Sequence, residues 1–216
     1  AVWSAILLDP EARAVSAPTT PGFGKLREPI VRFVQWGRSF GFNSTSGGWK
    51  MFETSSASEK LGQSPLRSPS VFNFFRPGFV PPGTALATSK STAPEFQLVN
   101  ESTVGGYLNY MQIVQFVGPF VASPPGAPNP FQGPYVQDIT ASFTQEVAIA
   151  ADAAALVARI NLVMCAGRLS APTITTMVNA LNATPLTATS SNDSKLNRVR
   201  GAVLMVLGCA EYLIQK

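Results

Sequence analysis

Apolar residues recur at helical spacing in several separate stretches of the chain, and no stretch shows a convincing strand-like alternation. The first stretch, residues 1–8, ends at Asp9 because the residue before a proline disfavours helix. The second, residues 25–40, has apolar residues on one helical face and Pro29 near its start, where a missing N–H costs little. These two stretches predict a helical pair over residues 1–40.

The C-terminal part of the chain has the clearest helical periodicity. Asn100 is placed to cap a helix that follows it. A long helix with alanines crowded in its middle is predicted over residues 143–167. Ser170 and Asp193 are placed to cap the two helices after it. We therefore predict a helical bundle over residues 100–216.

The middle of the chain, residues 41–99, is predicted to be irregular. It is rich in Ser, Thr, Gly and Pro, and a dense aromatic block runs from residue 71 to residue 79. A second proline-rich loop is predicted over residues 118–134. The patterns together predict a mainly α fold, residues 1–216 forming a single helical region. We expect about five to six helices, joined by long Pro/Gly/Ser-rich loops, with little or no β structure.

The amino-acid composition excludes several kinds of catalytic and metal-binding site. Only 13% of the 216 residues are charged, against about 25% in typical soluble domains. With 14 phenylalanines, much apolar surface must be buried in a core or against a partner. The chain has no histidine, which excludes Ser-His-Asp and Cys-His nucleophile pairs and histidine-bearing zinc sites.

The charge pattern does not indicate a nucleic-acid partner. The net charge is +4, but the basic residues are scattered, and the densest group, Lys195, Arg198 and Arg200, forms no stripe with aromatic residues beside it. No apolar run reaches the roughly 18 residues of a membrane-spanning helix. We expect neither nucleic-acid binding nor a transmembrane segment.

Several blocks of the sequence resemble, in the same order, the C-terminal part of a large bacterial family. They include Ser-Pro-Ser-Val-Phe-Asn-Phe-Phe-Arg-Pro-Gly-Phe at 68–79 and Ala-Pro-Glu-Phe-Gln at 93–97. Three more lie at residues 6–13, 24–29 and 106–109. The family is the one known as domain of unknown function 1800, and it carries no assigned reaction, so the resemblance implies no cofactor.

The resemblance has implications for location and completeness. Family members are longer, mostly helical, usually exported, and carry a histidine-bearing block in their N-terminal portion that nothing here matches. The resemblance thus implies a periplasmic or secreted protein. It also implies that this chain is the C-terminal part of a larger one, packing against its own N-terminal half or another subunit.

The aromatic block has two interpretations. Its rings and Arg76 could form a ligand platform, with Asn73, Phe74 and Phe75 beside the arginine. The favoured interpretation is an internal plug, in which the rings insert between helices. An arginine in such surroundings needs a carboxylate partner, which Glu95 or Glu101 could supply.

A set of polar residues near the start of the Asn100 helix is the candidate for chemistry. Glu95 and Glu101 could act as acid and base with Arg76 nearby, if one carboxyl is desolvated. Alternatively, Asn100 and Glu101 cap the helix and complement its dipole. Tyr107 and Asn109 complete a possible ligand-binding set.

Cys165 and Cys209 are the only cysteines. An even count in an exported protein is compatible with a disulfide, and two buried free thiols are the alternative. Two cysteines without histidine make a poor metal site, so no metal site is predicted.

Three functional hypotheses remain open. The first is a structural or binding module that packs against the N-terminal half or other subunits. The second is part of an exported enzyme whose cleft is lined by Arg76, Glu95 and Glu101. The third is a self-assembling surface or filament subunit, which fits the low charge but has no specific motif.

Overall fold

The computed structural model describes residues 1–14, 23–121 and 136–216, so most of the predicted loop 118–134 lies outside the described residues. The mainly α fold is confirmed, with a 3₁₀ helix over Pro94–Leu98. The α-helices are α1 Val2–Leu8, α2 Pro10–Arg13, α3 Pro29–Ser39, α4 Ala85–Thr88, α5 Glu101–Val117, α6 Thr144–Ala148, α7 Ala153–Cys165, α8 Ala171–Asn182, α9 Asn192–Gly208 and α10 Ala210–Leu213.

Helix α9 lies at the centre of the bundle and contacts α5, α6, α7, α8 and α10. Its inward stripe, which includes Val199, Val203 and Val206, is fully buried, as its helical periodicity predicts. Trp36 of α3 packs edge-to-face against Phe42, with the two ring centroids 4.8 Å apart. The core is therefore built mainly by the C-terminal half, with α3 packed against it.

Short antiparallel strand pairs join distant segments of the chain. Strand β1, Lys25–Leu26, pairs with β6, Ile214–Gln215. Strand β2, Asn43–Ser44, pairs with β5, Ile139–Thr140, and β3, Phe120–Val121, pairs with β4, Val136–Gln137. The first pair holds the segment that precedes α3 against the end of the chain, and this closes one side of the cavity described below.

Two predicted helix caps are confirmed and one is wrong. Asn100 forms a reciprocal capping box with Thr103, and Ser170 caps α8. The cap of α9 is Ser191, whose hydroxyl accepts from the Ser194 amide at 3.2 Å. Asp193 instead lies in the first turn, where its charge complements the helix dipole.

The long helix predicted over residues 143–167 is wrong as one element, because it breaks between α6 and α7. The Asp152 carboxylate accepts hydrogen bonds from the amides of Ala154 and Ala155, at 2.9 and 3.0 Å. It thereby caps a new helix. Aspartate often bonds to nearby backbone amides in this way, which competes with a continuous helix. The Ala150 carbonyl at the break accepts from Arg198 at 3.2 Å.

Asp138 anchors the loop that follows β2. Its carboxylate accepts from the Ser44 hydroxyl and from the amides of Ser46 and Lys50, each at 2.8 Å. The Lys50 amide, followed by Ser46 and Ser44, holds the pKa of the Asp138 carboxyl well below its usual range. This carboxylate is therefore ionised in the folded protein and ties a loop to strand β5.

We expect Asp138→Asn to lower the melting temperature at pH 7, because the amide loses the charge that attracts these donors. The pKa of Asp138 is lower in the folded than in the unfolded chain, so its contribution is present above about pH 4. It is lost as the pH falls below that value. Thermal melts should therefore show a wild-type advantage that shrinks between pH 5 and pH 2.

The exposed first-turn Asp193→Asn is the control for this experiment. Its melting temperature should fall only slightly at pH 7, because an exposed charge in a helix's first turn contributes at most about 1 kcal/mol. A gap between wild type and Asp138→Asn that stayed constant from pH 5 to pH 2 would contradict the role given to the Asp138 charge.

Candidate functional site

The aromatic block lies at the surface, so the predicted internal plug is not formed. Phe72 is 61% exposed, and Phe74 and Phe75 are half-buried outside the hydrophobic core. The segment folds on itself through a turn in which the Asn73 amide donates to the Ser70 carbonyl at 3.2 Å. Asn73 takes the left-handed conformation there, which asparagine tolerates well, and the rings stay outside the bundle.

Arg76 does not pair with Glu95 or Glu101. Glu53 and Glu146 are the carboxylates that pair with lysine and arginine here, in Lys60–Glu53 and Arg159–Glu146. The Arg76 side chain is exposed, and water solvates its charge, so it needs no carboxylate partner. Its backbone amide is tied to the Oε1 atom of Gln97 at 2.8 Å.

The other predicted site residues do not form one cleft. Glu95 is half-buried in the 3₁₀ helix, and Glu101 is exposed in the first turn of α5. Tyr107 is buried, whereas Asn109 is exposed two residues further along α5. Neither Glu95 nor Glu101 lines the cavity to which Tyr107 contributes. A catalytic role for these residues stays a prediction.

Both cysteines are free thiols in the structure, which corresponds to the second of the two alternatives that the sequence left open. Burial raises the pKa of the Cys165 thiol to about 12, and it also raises that of Cys209. The thiolate, not the thiol, is the form of cysteine that acts as a nucleophile and is readily oxidised. Both groups are therefore poorly reactive at neutral pH.

Large apolar side chains are exposed on α1. Val2, Trp3 and Leu7 are 72%, 76% and 65% exposed, and α1 contributes no residue to the core. A second exposed apolar group follows in the loop 66–72, with Leu66, Val71 and Phe72. Together these two groups are called the apolar surface below. Neighbouring exposed apolar side chains, as on α1, are typical of sites that meet another molecule.

A cavity of about 280 Å³ lies between α3, the 3₁₀ helix, α5 and the end of the chain. Its wall is almost entirely apolar, and Arg32 of α3 enters it as the one charged residue among those described. The lining residues are Leu26, Pro29, Arg32, Phe96, Leu98, Val99, Thr103, Val104, Tyr107, Leu108, Gly208, Ala210, Leu213 and Ile214.

Arg32 is buried, with 5% of its surface exposed. Its Nε donates to the Arg27 carbonyl at 2.8 Å, and its guanidinium carbon lies 4.8 Å from the centroid of the Tyr107 ring. The Tyr107 hydroxyl itself donates to the Leu207 carbonyl at 3.2 Å. Burial lowers the pKa of the arginine from its ordinary value, which reflects a charge withdrawn from water.

The sequence contained a signal for this arginine that our prediction missed. The buried face of α3 comprises Pro29, Arg32, Phe33, Trp36 and Gly37. Those positions repeat every three to four residues, so the helical period itself places the arginine in the buried stripe. A charged residue at such a position indicates either an internal partner or a ligand.

No helix within the described ranges 1–14, 23–121 and 136–216 is long and apolar enough to cross a membrane. In the same ranges, no group of three or more Cys, Asp or Glu residues is arranged to hold a metal ion.

A family model described as "Protein of unknown function (DUF1800)" matches residues 1–214 of the chain. No curated protein matches the chain, and no solved structure matches the chain.

Proposed function

Since the chain belongs to the DUF1800 family of proteins of unknown function, we propose its role from its own surface: a helical module that packs against another polypeptide. The observation that carries the proposal is the exposure of α1, whose Val2, Trp3, Ile6, Leu7 and Leu8 are all more than half exposed. Such a helix gains free energy only when another surface covers it.

The loop part of the apolar surface supports the same proposal. Leu66 is fully exposed and takes a left-handed backbone conformation, with φ of 60°. This conformation is costly for leucine, and strained residues cluster at functional sites. A leucine held outward at such a cost adds apolar area that a partner surface could cover.

The partner we propose is an apolar polypeptide surface: a further portion of the same protein or another subunit. The low charge of the chain, 13% of residues, supports an apolar contact over an electrostatic one. Location in the periplasm or outside the cell is part of the proposal, and it is supported by the family resemblance described above.

The test is the double variant Trp3→Glu/Leu7→Glu. We expect the wild-type chain to bind a hydrophobic dye and to self-associate at high concentration. Each of the two side chains gains about 1.5–3 kcal/mol on full burial, so the variant should weaken any association by at least about tenfold. Dye fluorescence and sedimentation equilibrium measure the two effects.

The control is Ser4→Glu, which adds a negative charge to the same helix without removing an apolar side chain. Circular dichroism should show unchanged melting for all variants, because α1 buries nothing in the core. If the wild-type chain stays monomeric and the double variant abolishes its dye binding, the partner of α1 is something other than a second copy of this chain. A wild-type chain that neither binds dye nor associates would overturn the proposal.

A further inference from the structure

Among the arginines buried in the described part of the chain, Arg32 has the fewest polar partners. Arg198 donates to the carbonyls of Ala150, Leu181 and Thr184. Arg32, in contrast, donates from Nε to one carbonyl, that of Arg27, and its guanidinium otherwise meets the neutral Tyr107 side chain. Burying a cation without a carboxylate partner costs desolvation free energy. A bound anion would offset that cost.

The carboxylate best placed along the sequence to pair with Arg32 is held elsewhere. Glu28 precedes Arg32 by four residues, the spacing at which ion pairs form on a helix. Its Oε2 atom instead accepts from the Nε2 of Gln63 at 2.6 Å. The Oε1 of the same glutamine accepts from the Ile30 amide at 3.2 Å. Gln63 therefore fixes Glu28 away from the arginine, and the guanidinium is left without an anion.

The chemistry of the cavity wall indicates what kind of ligand could accompany an anionic group at Arg32. Apart from Arg32, the lining side chains are overwhelmingly aliphatic or aromatic. The hydroxyl of Thr103, one of the few polar groups there, already donates to the Leu98 carbonyl at 2.7 Å. A volume of about 280 Å³ lies at the small end of ligand pockets, which combine apolar walls with a few polar groups that fix orientation.

We propose that this cavity binds a small monocarboxylate with an apolar tail, its carboxylate on Arg32 and its alkyl chain against the aliphatic wall. A planar guanidinium matches a carboxylate through paired hydrogen bonds. A multiply charged phosphate is disfavoured, because the second nearby arginine, Arg27, binds Gln35 and lies over the Tyr212 ring. This site is separate from the apolar surface, and its failure would leave the proposed packing role intact.

The experiment compares sodium octanoate with octanol by isothermal titration calorimetry of the whole chain. We expect one octanoate to bind per chain and octanol to bind at least about tenfold more weakly, as loss of a charge-assisted contact implies. Arg32→Met should weaken octanoate binding by about tenfold or more and leave the affinity for octanol unchanged. Arg38→Met, at an exposed position of the same helix, should bind octanoate as the wild type does.

A second variant keeps the test decisive if Arg32→Met folds poorly. Val104 is 49% exposed and lines the cavity, so Val104→Trp should fill the cavity while Arg32 stays in place. It should abolish octanoate binding and retain wild-type melting. The proposal is overturned if the wild type binds no octanoate, or if octanoate and octanol bind it equally. It is also overturned if Val104→Trp, folded, still binds octanoate.

Discussion

Arg198→Met is expected to destabilise the protein by about 3 kcal/mol, because it removes the side-chain donor from two buried carbonyl groups and one part-buried carbonyl group. Arg198 has 8% of its surface exposed. Its Nη1 donates to the Ala150 carbonyl at 3.2 Å, and its Nη2 donates to the Leu181 carbonyl at 3.0 Å and to that of Thr184. One side chain thus donates hydrogen bonds to carbonyl groups at the end of α8 and at the break between α6 and α7.

The measurement is urea unfolding followed by circular dichroism, with Lys195→Met as the matched control. Lys195 lies one turn earlier on α9 and donates to one surface carbonyl, that of Ala188. Water can replace that contact, so its loss should cost less than about 1 kcal/mol. Arg198→Lys should be intermediate, because lysine lacks the planar fork that reaches several carbonyls at once. Equal losses for the methionine variants of Arg198 and Lys195 would refute this role.

Two adjacent glycines of α5 are expected to respond to alanine in opposite directions. Nothing lies within 4 Å of a Cβ built on Gly105, so Gly105→Ala should stabilise the helix by about 0.5–1 kcal/mol. A Cβ on Gly106 would collide with the Ala57 carbonyl oxygen and lie 2.9 Å from the Ser58 carbonyl carbon. These are backbone atoms, so Gly106→Ala should cost about 2 kcal/mol through overpacking.

Each variant is the control for the other, since the propensity gain is the same and only the neighbouring loop differs. Unfolding free energies from urea titration should therefore move apart, with the wild type between the two. If both variants were stabilised, the contact of α5 with residues 57–59 would not exist in solution. Both variants being destabilised would contradict the open space beside Gly105.

Helix positions were predictable where the determining interactions are local. The caps of α5 and α8 depend on residues within one turn, so the sequence predicts them. The helix predicted from residue 25 begins instead at Pro29, because Lys25 and Leu26 form strand β1 with the distant β6. The break at residues 149–152 was missed because alanine-rich segments favour helix on both sides of it. What decided it was a cap by Asp152 together with Arg198, which donates to the carbonyl of Ala150, 48 residues earlier in the chain.

The candidate site shows the same division. The aromatic block could be recognised by its composition, but composition does not say whether rings point into a core or away from it. Two turns closed by backbone hydrogen bonds, Ser70–Asn73 and Arg76–Phe79, keep the block at the surface. The cavity at Arg32 was missed because its wall combines α3, the 3₁₀ helix, α5 and α10, which are far apart in sequence.

The sequence by itself determined the mainly α fold, the approximate position of most long helices and the absence of histidine chemistry. Periodicity, capping and composition carry that information within a few residues. Only the tertiary structure decided that Arg32 lines an apolar cavity, that Arg198 joins three chain segments and that α1 stays uncovered. The physical reason is that burial and hydrogen-bond partners are properties of contacts between distant segments, which a linear pattern does not contain.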